Sequence, residues 1–107
     1  MGPDQFSFER YGAHVVATLR GELDDAVCPA LDVLLPALLI EHETSTVQLD
    51  VGGVTYLNST GLRTLLDFQR LAASKGVRVS IGTCSNVVRR LLAIVNLEDA
   101  FPGVTAA

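Results

Sequence analysis

The chain has 107 residues, of which 49% are hydrophobic and 19% are charged, and its formal net charge is −4. This composition indicates one compact globular domain over residues 1–107, and the negative charge without any run of Lys or Arg argues against nucleic acid or an anionic membrane as primary partner. The longest apolar stretch, Val33 to Ile40, is too short to cross a bilayer, and the first ten residues lack a signal-peptide pattern. We therefore expect a cytoplasmic protein.

The first two predicted elements are strands joined by a tight turn. Phe6 and Phe8 alternate with polar residues, which is the period of a strand with one buried face. After a turn at Tyr11-Gly12, the segment from His14 to Arg20 places three apolar residues on one face: Val15, Ala17 and Leu19. The short connection predicts an antiparallel hairpin.

A helix with a broad apolar stripe is predicted next. The residues that recur at helical spacing are Val27, Ala30, Leu31, Leu34, Leu35, Leu38 and Leu39. Pro29 suits the first turn of such a helix. Pro36 does not suit a helix interior, but it falls off the apolar stripe, so we expect a kink on the solvent side and no break.

From residue 46 onward, strands and helices alternate. The segment from Thr46 to Val51 reads as a strand whose inward residues are Val47, Leu49 and Val51, and we expect Gly52-Gly53 to end it. The helix that follows ends near Lys75-Gly76, and its apolar residues are Leu62, Leu65, Leu66, Ala72 and Ala73. A further strand has three inward residues, Val77, Val79 and Ile81.

The last predicted helix carries Val87, Val88, Leu91, Leu92 and Val95. The tail FPGVTAA is expected to be loose or to form a short edge strand. The element order is therefore β-β-α-β-α-β-α, in which strands joined by crossover helices should be parallel and the crossovers right-handed. Because the parallel strands alternate between apolar and polar residues, we expect the helices mainly on one face of the sheet and the other face at least partly open.

The segment GVTYLNSTGLRTLL, from Gly53 to Leu66, is the most informative part of the chain. An apolar stretch gives way to Asn58, Ser59 and Thr60, all good helix N-caps, and then to a run with helical period. A serine placed there has its hydroxyl beside unpaired backbone N–H groups, at the positive end of a helix dipole. That hydroxyl can cap the helix, or it can be an exposed switch, because a helix N-terminus readily accommodates a phosphate.

Two carboxylates, Asp24 and Asp25, follow the second strand in the sequence GELDD. One of them can cap the first long helix. Alternatively, the loop lies beside Ser59, because the exits of neighbouring parallel strands share one edge of the sheet. A carboxylate there could orient the serine hydroxyl or help to hold a metal–nucleotide supplied by a partner.

Other chemistries have little support in the sequence. His14 and His42 are far apart and lack a ligand motif, and no glycine fingerprint for nucleotides is present, so neither a metal nor a cofactor is expected. A hydrolase elbow at Ser59 fails because Leu57 occupies its first glycine position. Cys28 and Cys84 lack metal-ligand spacing and are expected to be reduced thiols, with a disulfide as the lesser alternative.

GELDD at Gly21 to Asp25, LDVGGVTYLNSTGL at Leu49 to Leu62 and the element order resemble a STAS domain, in particular the bacterial anti-sigma factor antagonists. The resemblance covers nearly the whole chain and implies a STAS-like α/β fold with a mixed sheet of four to five strands. It also implies that Ser59 is phosphorylated by an anti-sigma factor that is a serine protein kinase. The unphosphorylated domain would bind this kinase and free a sigma factor. The phosphorylated form would let go, and a phosphatase would reset it.

By the same resemblance the domain is a substrate and a competitive binder, not an enzyme. The residues expected at the partner surface are Asp24, Asp25, Asn58, Ser59, Thr60, Gly61 and Arg63. The family usually has Asp before the phosphorylated serine, and Asn58 keeps the capping ability while losing the charge. STAS domains of transporters and stress-signalling assemblies share the fold without this activity, so a binding subunit that is never phosphorylated is the alternative.

Overall fold

The computed structural model describes residues 5–40 and 43–94, and its seven elements follow the predicted order. The strands are β1 (Phe6–Tyr11), β2 (His14–Leu23), β3 (Thr46–Leu57) and β4 (Arg78–Cys84), and the helices are α1 (Cys28–Ile40), α2 (Ser59–Ser74) and α3 (Asn86–Ile94). The predictions for His42, Val95 and the tail lie outside the described residues. None of the described helices is long and apolar enough to span a bilayer.

The sheet is mixed, with strand order β1-β2-β3-β4. β1 and β2 form the predicted antiparallel hairpin, and Gly12 takes a φ of 63° in the turn between them, where glycine is favoured. The pairs β2–β3 and β3–β4 are parallel, as predicted. Because the strands follow chain order, right-handed crossovers place α1 and α2 on the same face of the sheet.

The described core is one cluster between that face and the helices, and α3 contributes Val88 and Leu92 to it. The predicted inward residues of β2 and β3 are fully buried: Val15, Ala17, Leu19, Val47, Leu49 and Val51. Thr18 and Asp50, which point to the other face, remain partly exposed. The helices therefore lie mainly on one face, as expected from the alternating strands.

Several of the described side chains depart from the predicted core. Phe8, Ala73 and Val87 were expected inward but are exposed, while Phe68 is buried and was missed. Phe8 belongs to β1, which lies at the edge of the sheet. In α2 the buried face follows Leu65, Phe68 and Ala72 at helical spacing, so the next residue points away from the core.

The prediction that β3 ends at Gly52-Gly53 is wrong, because the strand continues to Leu57. Its register shifts against β4 between Leu49 and Val51 and against β2 beyond Asp50. Over the same stretch its buried positions change from every second to every third residue. A Cβ on Gly52 would lie 2.5 Å from Cγ2 of Thr83, and one on Gly53 would lie 3.0 Å from Cγ of Arg20. The glycines thus admit close neighbours within a bulged strand.

Two predictions about the helices are confirmed, namely that Pro36 does not break α1 and that α2 ends near Lys75-Gly76, while the kink expected at Pro36 stays a prediction. α1 continues through Pro36, which is half-buried, so the proline does not break the helix. α2 ends at the predicted Lys75-Gly76, where Gly76 has a φ of 74° and the N–H of Val77 donates to the carbonyl of Ala72 over 2.8 Å. That pattern is a left-handed helix C-cap.

Candidate functional site

α2 begins at Ser59, and Asn58 is its N-cap. Asn58 has extended backbone angles (φ −104°, ψ −173°), and its side-chain oxygen accepts a hydrogen bond from the N–H of Gly61 over 3.0 Å. Its carbonyl accepts the first bond of the helix, from the N–H of Leu62 over 3.0 Å. Of the three candidate caps, Asn58 alone takes this role, so the Ser59 hydroxyl is not needed to cap the helix.

Ser59 is exposed at the first helical position, whereas Thr60 is half-buried beside it. The amides of Ser59 and Thr60 come before the first N–H that can bond within the helix. They give the N-terminus of α2 its partial positive charge, close to the exposed hydroxyl. A phosphate on Ser59 would therefore meet a favourable local field.

Asp24 and Asp25 have separate roles in the loop before α1. The Oδ1 atom of Asp24 accepts hydrogen bonds from the N–H groups of Ala26 and Val27 over 3.1 and 3.2 Å. Both amides lie in the turn before α1, which begins at Cys28, so Asp24 closes that turn and the predicted cap of the helix itself is not confirmed. Asp25 accepts a hydrogen bond from Nδ2 of Asn58 over 3.3 Å. The loop therefore lies beside the start of α2, as the shared strand exits predicted.

The amide of Asn58 makes two contacts with opposite polarity. Its oxygen accepts from the Gly61 N–H while its nitrogen donates to the Asp25 carboxylate. An aspartate at this position would keep the first contact but would face Asp25 with a second carboxylate. The pairing with Asp25 gives a structural reason for Asn at this position, which the sequence alone did not reveal.

Gly61 is buried in the first turn of α2, where the helix approaches the ends of β2 and β3. A Cβ built on it would lie 2.4 Å from the carbonyl oxygen of Leu23 and 2.5 Å from Cδ1 of Leu57. Only a residue without a side chain allows this approach. Gly61 therefore sets how closely Ser59 is held to the edge of the sheet.

Arg63 follows Ser59 by one helical turn, so the two side chains are neighbours on the surface of α2. The Arg63 side chain is 82% exposed, and its Nε lies 3.7 Å from Oδ2 of Asp67. Such an exposed ion pair contributes little to stability. The guanidinium is free to turn toward a phosphate one turn away.

Tyr56 and Glu22 also flank the site, and neither was among the predicted site residues. They face each other across the β2–β3 register, and both are exposed. A register shift between Gly21 and Glu22 turns Tyr56 outward, next to the exposed Thr55. A simple alternation over this stretch could not place the ring, because the strand is bulged there.

The described residues offer Ser59 no histidine or lysine as a general base. His14 begins β2 while Ser59 follows the end of β3, so the two are separated by the length of the sheet, roughly 30 Å. Lys75 caps the far end of α2, roughly 24 Å along the helix. Within the described ranges, no group of three or more His, Cys, Asp or Glu could hold a metal ion.

Both cysteines are free thiols, as expected. Burial raises the pKa of the Cys28 thiol, a hydrogen bond with Thr64 opposes that rise, and nearby carboxylates such as Asp32 add to it. Burial also raises the pKa of Cys84, and the charge of Arg89 opposes it. A raised pKa keeps the reactive thiolate scarce at neutral pH, so neither thiol has the environment of a nucleophile.

A family model described as "Mlab, STAS domain" matches residues 6–104, which is nearly the whole chain. A STAS-domain containing protein of Pseudomonas aeruginosa (strain UCBPP-PA14) is 38% identical over 52 residues, covering 49% of this chain. The aligned segment spans 52% of that relative, about half of its length.

Several solved structures share the fold. An anti-sigma factor antagonist from Mycobacterium paratuberculosis superposes with a TM-score of 0.81 at 21% identity, covering 98% of this chain and 90% of the other. The phosphorylated form of SpoIIAA, a Bacillus cell fate determinant, gives 0.72 at 19% identity, covering 94% and 91%. A sulfate transporter family protein from Wolinella succinogenes gives 0.71 at 19% identity, covering 82% and 70%. At these identities the likeness establishes the fold.

Proposed function

Because this chain belongs to the STAS-domain family, we propose that it is a cytoplasmic anti-sigma factor antagonist switched by phosphorylation at Ser59. In the unphosphorylated form it binds an anti-sigma factor that is also a serine protein kinase, and so releases a sigma factor. The phosphorylated form dissociates, and a phosphatase restores it. The chain is the substrate in this cycle and not an enzyme, and it uses no cofactor, nucleic acid or membrane.

The observation that carries the proposal is the exposed Ser59 hydroxyl at a helix start whose cap is supplied by another residue. Asn58 satisfies the Gly61 amide, so Ser59 can be modified without removing the hydrogen bond that begins α2. The new phosphate would interact favourably with the dipole of α2 and with the neighbouring guanidinium of Arg63. The fold should therefore survive the modification.

Dissociation of the phosphorylated chain then depends on the surface that the kinase packs against Ser59. Phosphorylation adds roughly −1.5 to −2 charges at Ser59, beside the carboxylate of Asp25. A partner packed over this edge would have to bury that charge, and an acidic or desolvated contact surface would reject it. We place Asp24, Asp25, Asn58, Ser59, Thr60, Gly61 and Arg63 in this interface, with Gly61 contributing through its position and not through an exposed surface.

The direct test is to incubate the chain with candidate anti-sigma factor kinases of its source organism and ATP, and to map the phosphate by peptide mass spectrometry. We expect one phosphate, on Ser59. Ser59→Ala should abolish it and Thr60→Ala should not. Phosphate mainly on Thr60, or incorporation that persists in Ser59→Ala, would contradict the proposed site.

Exchanging the Asn58–Asp25 pair should change the rate of phosphorylation. If a carboxylate before the serine assists the transfer by taking its proton, the double variant Asn58→Asp, Asp25→Asn supplies it while keeping one amide and one carboxylate at this contact. We expect its initial rate to rise by about tenfold or more, toward the 10²–10⁴-fold typical of a positioned proton acceptor. The single variant Asn58→Asp should gain less, because Asp25 opposes the new charge. Equal initial rates for all three proteins with one kinase preparation would show that the exchange is functionally silent.

The alternative is a binding subunit of a transporter or a stress-signalling assembly that is never phosphorylated. The fold shared with the sulfate transporter family protein favours it. In that case Ser59 would be a surface residue without a switching role. No mass shift with any candidate kinase, together with partner binding that Ser59→Asp leaves unchanged, would favour this alternative.

A further inference from the structure

The outer face of α1 is exposed and apolar. Its exposed residues recur along one side of the helix: Pro29, Val33, Ala37 and Ile40. We call this set the α1 stripe; Val33 is 70% and Ile40 77% exposed. Asp32 is the only charged residue of α1. A helix that is apolar on all sides is normally buried, so an exposed face of this kind marks an interaction surface.

A groove of about 180 Å³ lies between α1 and α2, beside the α1 stripe, and Pro36 is one of the residues that line it. Leu35, Phe68 and Leu71 give it apolar walls, while Asp32 and Thr64 supply polar groups. Pockets for small organic ligands usually hold about 300–1,000 Å³. This groove is below that range, and its size suits one apolar side chain presented by another protein.

The charge beside the groove is negative. Asp32 accepts a hydrogen bond from Oγ1 of Thr64 over 3.0 Å, and within the described residues it has no ion pair. Asp67, also at the groove, is already flanked by Arg63 at 3.7 Å and Arg70 at 3.9 Å. The uncommitted charge is therefore the carboxylate of Asp32, which calls for a Lys or Arg on the occupant.

A second copy of this chain fits the surface poorly. The cations that it could bring from α2, Arg63 and Arg70, would have to leave their contacts with Asp67 to reach Asp32. The 13 residues of α1 give a length of about 20 Å, and two adjacent helices give a similar width, so the patch covers about 400 Å². A stable dimer needs about 800 Å² from each partner, so this patch suits a weak or transient contact with a single helix better than a stable dimer.

We propose that the α1 stripe and the adjoining groove bind a helix of a partner protein, which inserts one apolar side chain into the groove and sets a Lys or Arg against Asp32. Helix-in-groove recognition of this kind reads apolar anchors spaced by one helical turn. The surface does not include Ser59 or its neighbours Asn58 and Thr60. It therefore stays available in both phosphorylation states, whether or not the proposed switch operates.

The test uses two alanine-based helical peptides as probes, added to the ¹⁵N-labelled full chain and followed by NMR. One peptide carries Leu at positions i and i+4 with Lys at i+3, and its twin carries Glu in place of Lys. We expect the Lys peptide to shift the amide signals of α1 and of Thr64 to Leu71, and the Glu peptide to bind about two- to fivefold more weakly. Asp32→Asn should remove that preference.

Two further variants locate the contact. Val33→Glu should weaken binding of the Lys peptide by about tenfold or more, because the complex would bury a carboxylate in the α1 stripe. Since Val33 is exposed, the melting temperature should stay near that of the wild type. Ser59→Asp, the matched control at the other surface, should leave peptide binding unchanged.

Four outcomes would overturn the proposal. The first two are no amide shifts in α1 and equal affinity for the two peptides. The third is concentration-dependent shifts of α1 without peptide, which would identify a second copy as the occupant. The fourth is binding of the chain to phosphatidylcholine vesicles that Val33→Glu abolishes, which would identify a lipid surface.

Discussion

Phosphorylated protein, with its phosphate on Ser59, is expected to bind the anti-sigma factor kinase about 100-fold more weakly than unmodified protein. A like charge forced into a desolvated interface costs several kcal/mol, and about 3 kcal/mol corresponds to that factor. Ser59→Asp carries a single charge and should weaken binding less, by about tenfold. Ser59→Ala should bind as the wild type does and should not respond to ATP. Calorimetric titration of each form against the kinase measures these differences.

Melting curves of the same proteins separate interface repulsion from refolding. Because Asn58 and not Ser59 caps α2, Ser59→Ala should hardly change stability, and an acid at the helix start should be neutral or slightly stabilising. Ser74→Asp adds the same charge to the other end of α2 and should leave kinase binding unchanged. Full affinity of stoichiometrically phosphorylated protein would refute the repulsion mechanism. A large loss of melting temperature in Ser59→Asp would point to a structural role instead.

Gly61→Ala should destabilise the fold and weaken partner binding together. The added Cβ would meet the carbonyl oxygen of Leu23 at 2.4 Å, and a backbone atom in a paired strand cannot easily move aside. Overpacking of this kind costs about 1–3 kcal/mol, which lowers the melting temperature of a domain this size by about 4–8 °C per kcal/mol. Displacement of the first turn of α2 also shifts Ser59, so we expect slower phosphorylation of the folded protein as well.

Gly52→Ala is the matched control for this substitution. Its Cβ would lie 2.5 Å from Cγ2 and 3.2 Å from Cβ of Thr83, but these atoms belong to an exposed side chain on the edge strand β4 and not to the backbone. Gly52 also lies outside the edge that carries Ser59. It should therefore lose less stability than Gly61→Ala and keep the wild-type phosphorylation rate. Equal melting temperatures for the wild type and Gly61→Ala would show that the helix start accommodates a side chain.

Most of the fold could be predicted because its elements have a simple period. Val15, Ala17 and Leu19 alternate in β2, the predicted inward leucines of α1 recur every three or four residues, and both patterns match the buried faces. The order of elements then left few topologies, since crossovers between parallel strands have one hand. The approach of Asp25 to the start of α2 followed from the same reasoning.

The predictions from sequence are wrong where packing between elements overrides the periodic pattern of apolar residues. β3 was expected to stop at Gly52-Gly53 because glycines usually interrupt strands, but here they admit the side chains of Thr83 and Arg20. The choice of Asn58 among three possible caps depends on backbone angles that the sequence does not encode in any one residue. The exposure of Phe8 depends on the edge position of β1, which is a property of the whole sheet.

Because β3 is bulged, the number of residues in this strand determines where Ser59 lies. Between the pairs Thr18–Asp50 and Leu23–Leu57, β2 advances five residues while β3 advances seven. The two additional residues of β3 determine which way the chain faces when it enters α2. Deletion of one of them would shift the following residues by one position along β3, so that their side chains would point to the opposite face of the sheet. Ser59 would then lie on another side of the sheet. Among relatives, retention of this spacing is therefore a better criterion for a working switch than overall identity, because a single deletion can leave the composition intact and misdirect the hydroxyl.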